Sequence, residues 1–173
     1  INRLLVRSAK TGKMVVRLKG GDPFLFGRGG EEALALAKAR VPYEVIPGVT
    51  SALAVPAYAG IPVTHRALSS SVAIMTGHED PTKPESAIRW DRIATGCDTL
   101  IFLMGVSTLP GIVSQLTRHG RLAKTPCAVI EWGTWPRQRT VTGTLASIVA
   151  RTKQAAIEPP AVLVVGDVVS LRD

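Results

Sequence analysis

The segment Val15 to Glu32, VVRLKGGDPFLFGRGGEE, carries the densest set of residues able to do chemistry. A short apolar run, Met14 to Leu18, reads as a strand that ends near Gly20-Gly21-Asp22. Two glycines let backbone come close to a ligand, or take φ > 0, with no Cβ in the way. Open α/β sheets bind ligands at the carboxyl ends of their strands. Asp22 there could accept hydrogen bonds from an ammonium group or from ribose hydroxyls. Asp22-Pro23 is also ordinary turn chemistry, and the spacing does not choose between the two. Phosphate motifs fit poorly. The segment lacks the dinucleotide fingerprint, and Gly12-Lys13 is followed by Met14, so it is no Walker loop. Glu31 and Glu32 fall in the first turn of the next helix, where they complement the dipole but would repel a pyrophosphate. The ligand this loop suits is zwitterionic or cationic.

Elsewhere the chemistry is sparser. Cys97 and Cys127 are the only cysteines, with no Cys or His nearby at metal-ligand spacing. They read as buried thiols of a cytosolic protein, and no metal is expected. His119, beside Arg118 at a helix end, suits the helix dipole. His78, in a polar loop, has no assigned role.

These residues must be held by regular elements. Ile1, Leu4, Leu5 and Ala9 recur at helical spacing, with Gly12 to close the helix. The chain thus opens inside a helical pattern, and a missing amino-terminal part is expected. Residues 30 to 40 read as a helix with Leu34, Ala37 and Val41 on one face. Tyr43 to Ile46 reads as a strand stopped by Pro47-Gly48, and Thr50 as the cap of a helix Ser51 to Ala59 that contains Pro56. Beyond Arg66 four strands are expected: Val72 to Met75, Thr99 to Met104, Cys127 to Glu131 and Ala161 to Val165. The last three are nearly continuous apolar runs, as in strands covered on both faces. Helices are expected at 84 to 95, 109 to 119 and 144 to 155, the last behind a Thr144 cap. Two punctuated segments, HRALSSS and GHEDPTKPES, separate these patterns. Alternating strands and helices predict an α/β protein, divided near residues 66 to 71 into units 1–68 and 69–173.

Composition limits the function. The 173 residues are 46% hydrophobic and 20% charged, a globular balance. Twenty-one basic against thirteen acidic residues give +8, which favours nucleic acid, anionic lipid or a polycarboxylate as partner. Nucleic-acid binding would want basic residues clustered with aromatics, whereas here aromatics are 5% and the basic residues scattered. No apolar run reaches the ~20 residues that span a bilayer, and nothing at the start resembles a signal peptide. A cytoplasmic protein without membrane or nucleic-acid partners is expected.

RLKGGDPFLFGRGGEE resembles the signature of the uroporphyrinogen-III C-methyltransferases, a branch of the tetrapyrrole methylases. The resemblance continues through VPYEVIPGVTSALAVPAYAGIPVTHR, IFLMG, IEWGT, RQRTVTG and AVLVVGDVV, in the family's order over nearly the whole chain. It implies two α/β domains with S-adenosyl-L-methionine in the cleft between them, usually in a homodimer. By position, Gly20, Gly21 and Asp22 should border the methionine part of the cofactor. Leu25, Thr50, Ser51, Met104 and Gly133 match further cofactor contacts; Ser51 stands where the family has Ala. Read without the family, Met104 is core filler and Gly133 a turn residue.

The reaction so implied is methylation of two pyrrole rings of uroporphyrinogen III, giving precorrin-2 and S-adenosyl-L-homocysteine for siroheme or cobalamin. Arg28, Arg66, Arg137 and Arg139 flank the matched blocks and are candidates to grip substrate carboxylates. The family's proposed acid and base lie upstream of Ile1, so no catalytic residue is assigned here. A sister corrinoid-pathway precorrin C-methyltransferase is the alternative, with an RNA-methylating or nucleic-acid-binding protein behind it.

Overall fold

The apolar runs near residues 100, 128 and 163 form strands because each is short, rich in β-branched residues and bounded by polar or glycine-containing turns. In the computed structural model, which describes residues 1–78 and 86–172, they become β2 (Thr99–Leu103), β3 (Pro126–Glu131) and β5 (Ala161–Val165). β1 (Val72–Thr76) and β4 (Arg139–Thr144) complete one five-stranded sheet in the order β1-β2-β5-β3-β4. β1 and β2 are parallel, while β5 runs antiparallel to both β2 and β3. β1, β2 and β3 therefore share a direction, and their carboxyl ends lie along one edge of the sheet. Every residue of β2 is buried, as its unbroken apolar run requires.

Helices α4 (Trp90–Gly96), α5 (Leu109–Arg118) and α6 (Ile148–Gln154) supply the apolar stripes that cover the sheet. Leu109, Ile112 and Leu116 of α5 join Leu100, Phe102, Val129 and Leu163 in the core, and Trp90 stacks on Phe102 at 5.9 Å. On α3 (Ser51–Tyr58), Ala52, Val55 and Pro56 are buried, and the helix packs against β2 and β5. The chain folds as two compact units, Ile1–Thr50 and Ser51–Asp173. The first holds α1 (Asn2–Ala9) and α2 (Gly29–Lys38). Because α3 adheres to the sheet, this division falls before the 66-to-71 segment that composition singles out.

The α/β class is as expected, within a single five-stranded sheet among the described residues. Several local expectations are corrected. Segments 14 to 18 and 43 to 46 form no strand: a strand exists only through pairing, and no described segment pairs with either. Their apolar side chains stand in the open, with Met14 93% and Leu18 84% exposed. Thr144 ends β4 instead of capping a helix, and Ser147 takes the position before α6. Met104 lies just beyond β2. β4 was not anticipated, since RTVTGT has no apolar run. Residues 79–85, which hold most of GHEDPTKPES and the start of the 84-to-95 helix, lie outside the described residues. Among those described, no helix is long and apolar enough to cross a membrane.

Candidate functional site

The glycine-rich loop of the first unit is wound around two carboxylates. Asp22 Oδ1 accepts the N–H of Phe24 at 2.9 Å and of Leu25 at 3.1 Å, and Oδ2 accepts that of Gly48 at 3.4 Å. The Phe24 N–H does most to hold the Asp22 carboxyl below its ordinary value; partial burial opposes it, and Gly48 and Leu25 add to the lowering. Asp22 thus serves its own turn.

Glu32 is the second anchor, a buried carboxylate on α2. Lys19 Nζ donates to Glu32 Oε2 at 3.1 Å and to the Gly27 carbonyl, and Arg17 Nε donates to Glu32 Oε1 at 3.1 Å. Burial pushes the Glu32 carboxyl up, but the Lys19 and Arg17 hydrogen bonds outweigh it and leave it lowered. Backbone packs so closely here that a Cβ on Gly29 would sit 2.4 Å from the Pro23 oxygen, and one on Gly48 2.5 Å from that of Gly21. At Gly20, by contrast, a Cβ would meet nothing within 4 Å. The structure thus brings Gly20, Gly21, Asp22 and Leu25 into one loop. Arg28 follows at φ 59°, its Nε 3.3 Å from Glu31 Oε1 at the surface.

In the second unit, the shared carboxyl edge of β1, β2 and β3 gathers another set. Met104 follows β2 with φ 57° and is 51% exposed. Trp132 follows β3 with φ 48°, and its N–H donates to the Pro160 carbonyl, at the entry to β5, at 3.0 Å. Left-handed backbone at a non-glycine residue costs about 1–3 kcal/mol and concentrates at functional sites. Two such residues at parallel strand ends mark this edge. Gly133 comes next and is required by packing, since a Cβ there would lie 2.3 Å from Val55 Cγ1. Between β1 and β2, Gly77 N donates to the Leu103 oxygen at 2.6 Å and Thr108 Oγ1 to that of Gly77 at 2.7 Å, fastening the two loops.

The basic candidates differ in what already occupies them. Arg139 is committed: it bonds the buried Glu131 carboxylate at 2.6 Å and the carbonyls of Ala155 and Ala156 at 3.0 and 3.1 Å. Arg137 lies 3.3 Å from the centroid of the Trp132 ring and forms no ion pair among the described residues. Arg66 is exposed and likewise forms no ion pair among them. Ser51 opens α3 at the surface, and Thr50 precedes it. His119 Nδ1 lies 2.8 Å from the Gln115 carbonyl, in keeping with its place at the end of α5. The sequence reading missed the Lys19–Glu32 clamp and the Trp132–Arg137 contact. Alternation of Trp and Arg in EWGTWPR was the available signal for the latter; nothing local announces the former.

Comparison with known proteins agrees with this architecture. The family described as Tetrapyrrole (Corrin/Porphyrin) Methylases matches residues 1–149, and the chain belongs to that family. It is 55% identical over 173 residues to an S-adenosyl-L-methionine-dependent uroporphyrinogen III methyltransferase of Methanosarcina barkeri, covering 100% of this chain and 68% of that protein. It is also 55% identical over 170 residues to a uroporphyrinogen-III C-methyltransferase of Priestia megaterium, covering 98% of this chain and 71% of the relative. Among solved structures, the uroporphyrin-III C-methyltransferase of Thermus thermophilus complexed with S-adenyl homocysteine matches with a TM-score of 0.82 at 38% identity. That match covers 98% of this chain and 73% of the Thermus one.

Proposed function

We propose that the protein is an S-adenosyl-L-methionine-dependent methyltransferase that converts uroporphyrinogen III into precorrin-2, on the route to siroheme or cobalamin. The observation that carries this is the 55% identity kept over all 173 residues with a relative whose name states both cofactor and substrate. In each of two transfers a pyrrole carbon attacks the sulfonium methyl group in line. A C–C bond forms, the C–S bond breaks with its electrons staying on sulfur, and a proton leaves the ring. The cofactor supplies the methyl group; the protein's part is alignment, which in oriented systems removes about 7–11 kcal/mol from a barrier.

Gly20, Gly21, Asp22, Leu25, Thr50, Ser51, Met104 and Gly133 are the proposed cofactor contacts. Open space at Gly20 and an exposed, left-handed Met104 support this, since neither is what filling a core demands. Asp22 acts by shaping the loop and Gly133 is constrained by Val55, so both have structural duties as well. Arg66 and Arg137 are the better-placed candidates for substrate carboxylates. Arg28 has an exposed acidic neighbour, and Arg139 would first have to leave Glu131. We further propose a cytoplasmic homodimer in which residues 1–68 and 69–173 belong to the two α/β domains of the family fold.

Mass spectrometry of the product formed from uroporphyrinogen III and methyl-labelled S-adenosyl-L-methionine tests the reading. Gain of two labelled methyl groups is expected. Labelling of a later corrinoid intermediate, with none on uroporphyrinogen III, would replace it with the sister activity.

A further inference from the structure

We infer that the loop after β3 is a carboxylate receptor for the substrate, with Arg137 as the contact, Trp132 as the residue that positions it and Trp135 as its flank. The inference rests on the uroporphyrinogen reading above and adds the residues that read the substrate's acidic arms.

The first support is how this arginine is held. Several guanidinium groups of the second unit are tied to oxygens: Arg121 to the carbonyls of Cys97 and Asp98, Arg151 to that of Thr142, Arg172 to that of Ala59. Arg137 donates to no oxygen among the described residues and rests on indole instead. Its Cζ is 3.3 Å from the Trp132 centroid and 5.6 Å from that of Trp135. At 3.3 Å there is no room for an edge-on approach, so the planar group lies against the ring. Guanidinium N–H bonds lie in the plane of the group, so stacking leaves its donor edge free for a carboxylate.

The second support is rigidity. Trp135 N donates to the Trp132 carbonyl at 3.1 Å and Gln138 N to that of Trp135 at 2.9 Å. Thr134 N donates to Gln138 Oε1 at 2.8 Å, and Gln138 Nε2 reaches the Tyr58 carbonyl at 3.2 Å. Thr134, like Trp132, has left-handed backbone, at φ 71°. A surface loop laced this tightly, holding against Trp132 a cation that feels the Glu131 charge but donates to no oxygen among the described residues, is already arranged for an anion. The third support is the partner's chemistry. Trp135 is 58% exposed and meets Trp132 edge to face, so apolar ring surface borders the cation. A carboxylate carried on a pyrrole ring would satisfy both surfaces at once.

The test uses the full-length protein and two readouts. Steady-state methylation gives KM for uroporphyrinogen III and for S-adenosyl-L-methionine separately. Fluorescence titration with uroporphyrin III, the oxidised and unreactive octacarboxylate, gives binding without turnover. Arg137→Lys keeps the charge but loses the planar fork, and Trp132→Ala removes the platform. Each is expected to raise the macrocycle's KM and Kd by ~10-fold, leaving kcat and the cofactor's KM near wild type. Trp132→Phe, which keeps a π face, should recover most of the affinity. Wild-type macrocycle binding in Arg137→Lys would overturn the inference while leaving the enzyme assignment intact. An equal loss of cofactor affinity would also overturn it, placing the loop on the cofactor. Wild-type protein that binds uroporphyrin III through Arg137 yet methylates no uroporphyrinogen III would refute the assigned reaction and keep the receptor; failure to bind would overturn the receptor.

Discussion

Gly133 is proposed as a cofactor contact, yet packing alone forbids a side chain there, and one substitution separates the two demands. In Gly133→Ala the new methyl carbon would lie 2.3 and 2.4 Å from the two γ carbons of Val55. Carbon atoms rest at about 3.5–4.0 Å, so Val55 would have to retreat by more than 1 Å. It is poorly able to do so, being 6% exposed, β-branched and on a helix, where its χ1 is held to one rotamer. Overpacking of this kind costs about 1–3 kcal/mol, equivalent to about 2–12 °C in Tm for a chain of this size. Val55→Ala alone should cost about 1.5–3 kcal/mol through lost burial and a small cavity. In the double variant the alanine methyl at 133 fills the space that the valine gives up. The two losses should then overlap, with a coupling of about 1–3 kcal/mol in the favourable direction. Urea unfolding of the two single variants and the double variant, with m-values compared, measures this directly. Strict additivity, or a Gly133→Ala protein as stable as wild type, would refute the packing argument. Cofactor affinity of the double variant supplies the other half: stability regained without S-adenosyl-L-methionine binding means that glycine is needed there for the cofactor too.

Acid should destabilise the second unit partly through Glu131. The Arg139 hydrogen bond, against burial and with help from the Glu158 N–H, lowers its pKa below the ordinary 4.5. A lowered folded pKa gives stability that is present above 4.5 and lost as pH falls through the folded value, so Glu131→Gln should flatten the acid limb of a Tm-versus-pH curve. The Cys127 thiol, pushed up to about 12 by burial, should resist a thiol reagent at pH 8 in the folded protein and react once urea unfolds it. Leu116→Ala should cost about 2–5 kcal/mol by urea unfolding, because the side chain is fully buried in the core of the second unit and its removal leaves a cavity.

Much of the sheet was legible because its inner strands are apolar on both faces. The expected run 161 to 165 is β5 as observed, and β2 and β3 differ from expectation by one residue at one end. β4 escaped because an edge strand needs only one apolar face, and in RTVTGT the one β4 residue packed on the core is Val141, which shares its face with Arg139 and Gly143. Segments 14 to 18 and 43 to 46 failed in the opposite sense. Their composition suits a strand, but pairing is a property of neighbours, and a local pattern cannot supply one. At the site, the close backbone packing of the glycine-rich loop was legible from its glycines. The assignment of its parts was not, because Asp22 spends its carboxylate on amides that include one from Gly48, twenty-six residues away. Arg137 and Arg139 are two residues apart and equal in composition. Only the partners across space, an indole for one and a buried carboxylate for the other, distinguish them.

The position of β5 governs the order in which the second unit can assemble. β1 pairs with β2 and β3 with β4, and among the described residues β5 is the one strand that pairs with both β2 and β3. During synthesis the edges of β2 and β3 that β5 covers should stay unpaired until Ala161 to Val165 emerge. Nascent chains arrested before Ala161 should expose β2 and β3 to chaperones or to one another. Ribosome-held intermediates, more than the finished protein, are where this fold is vulnerable.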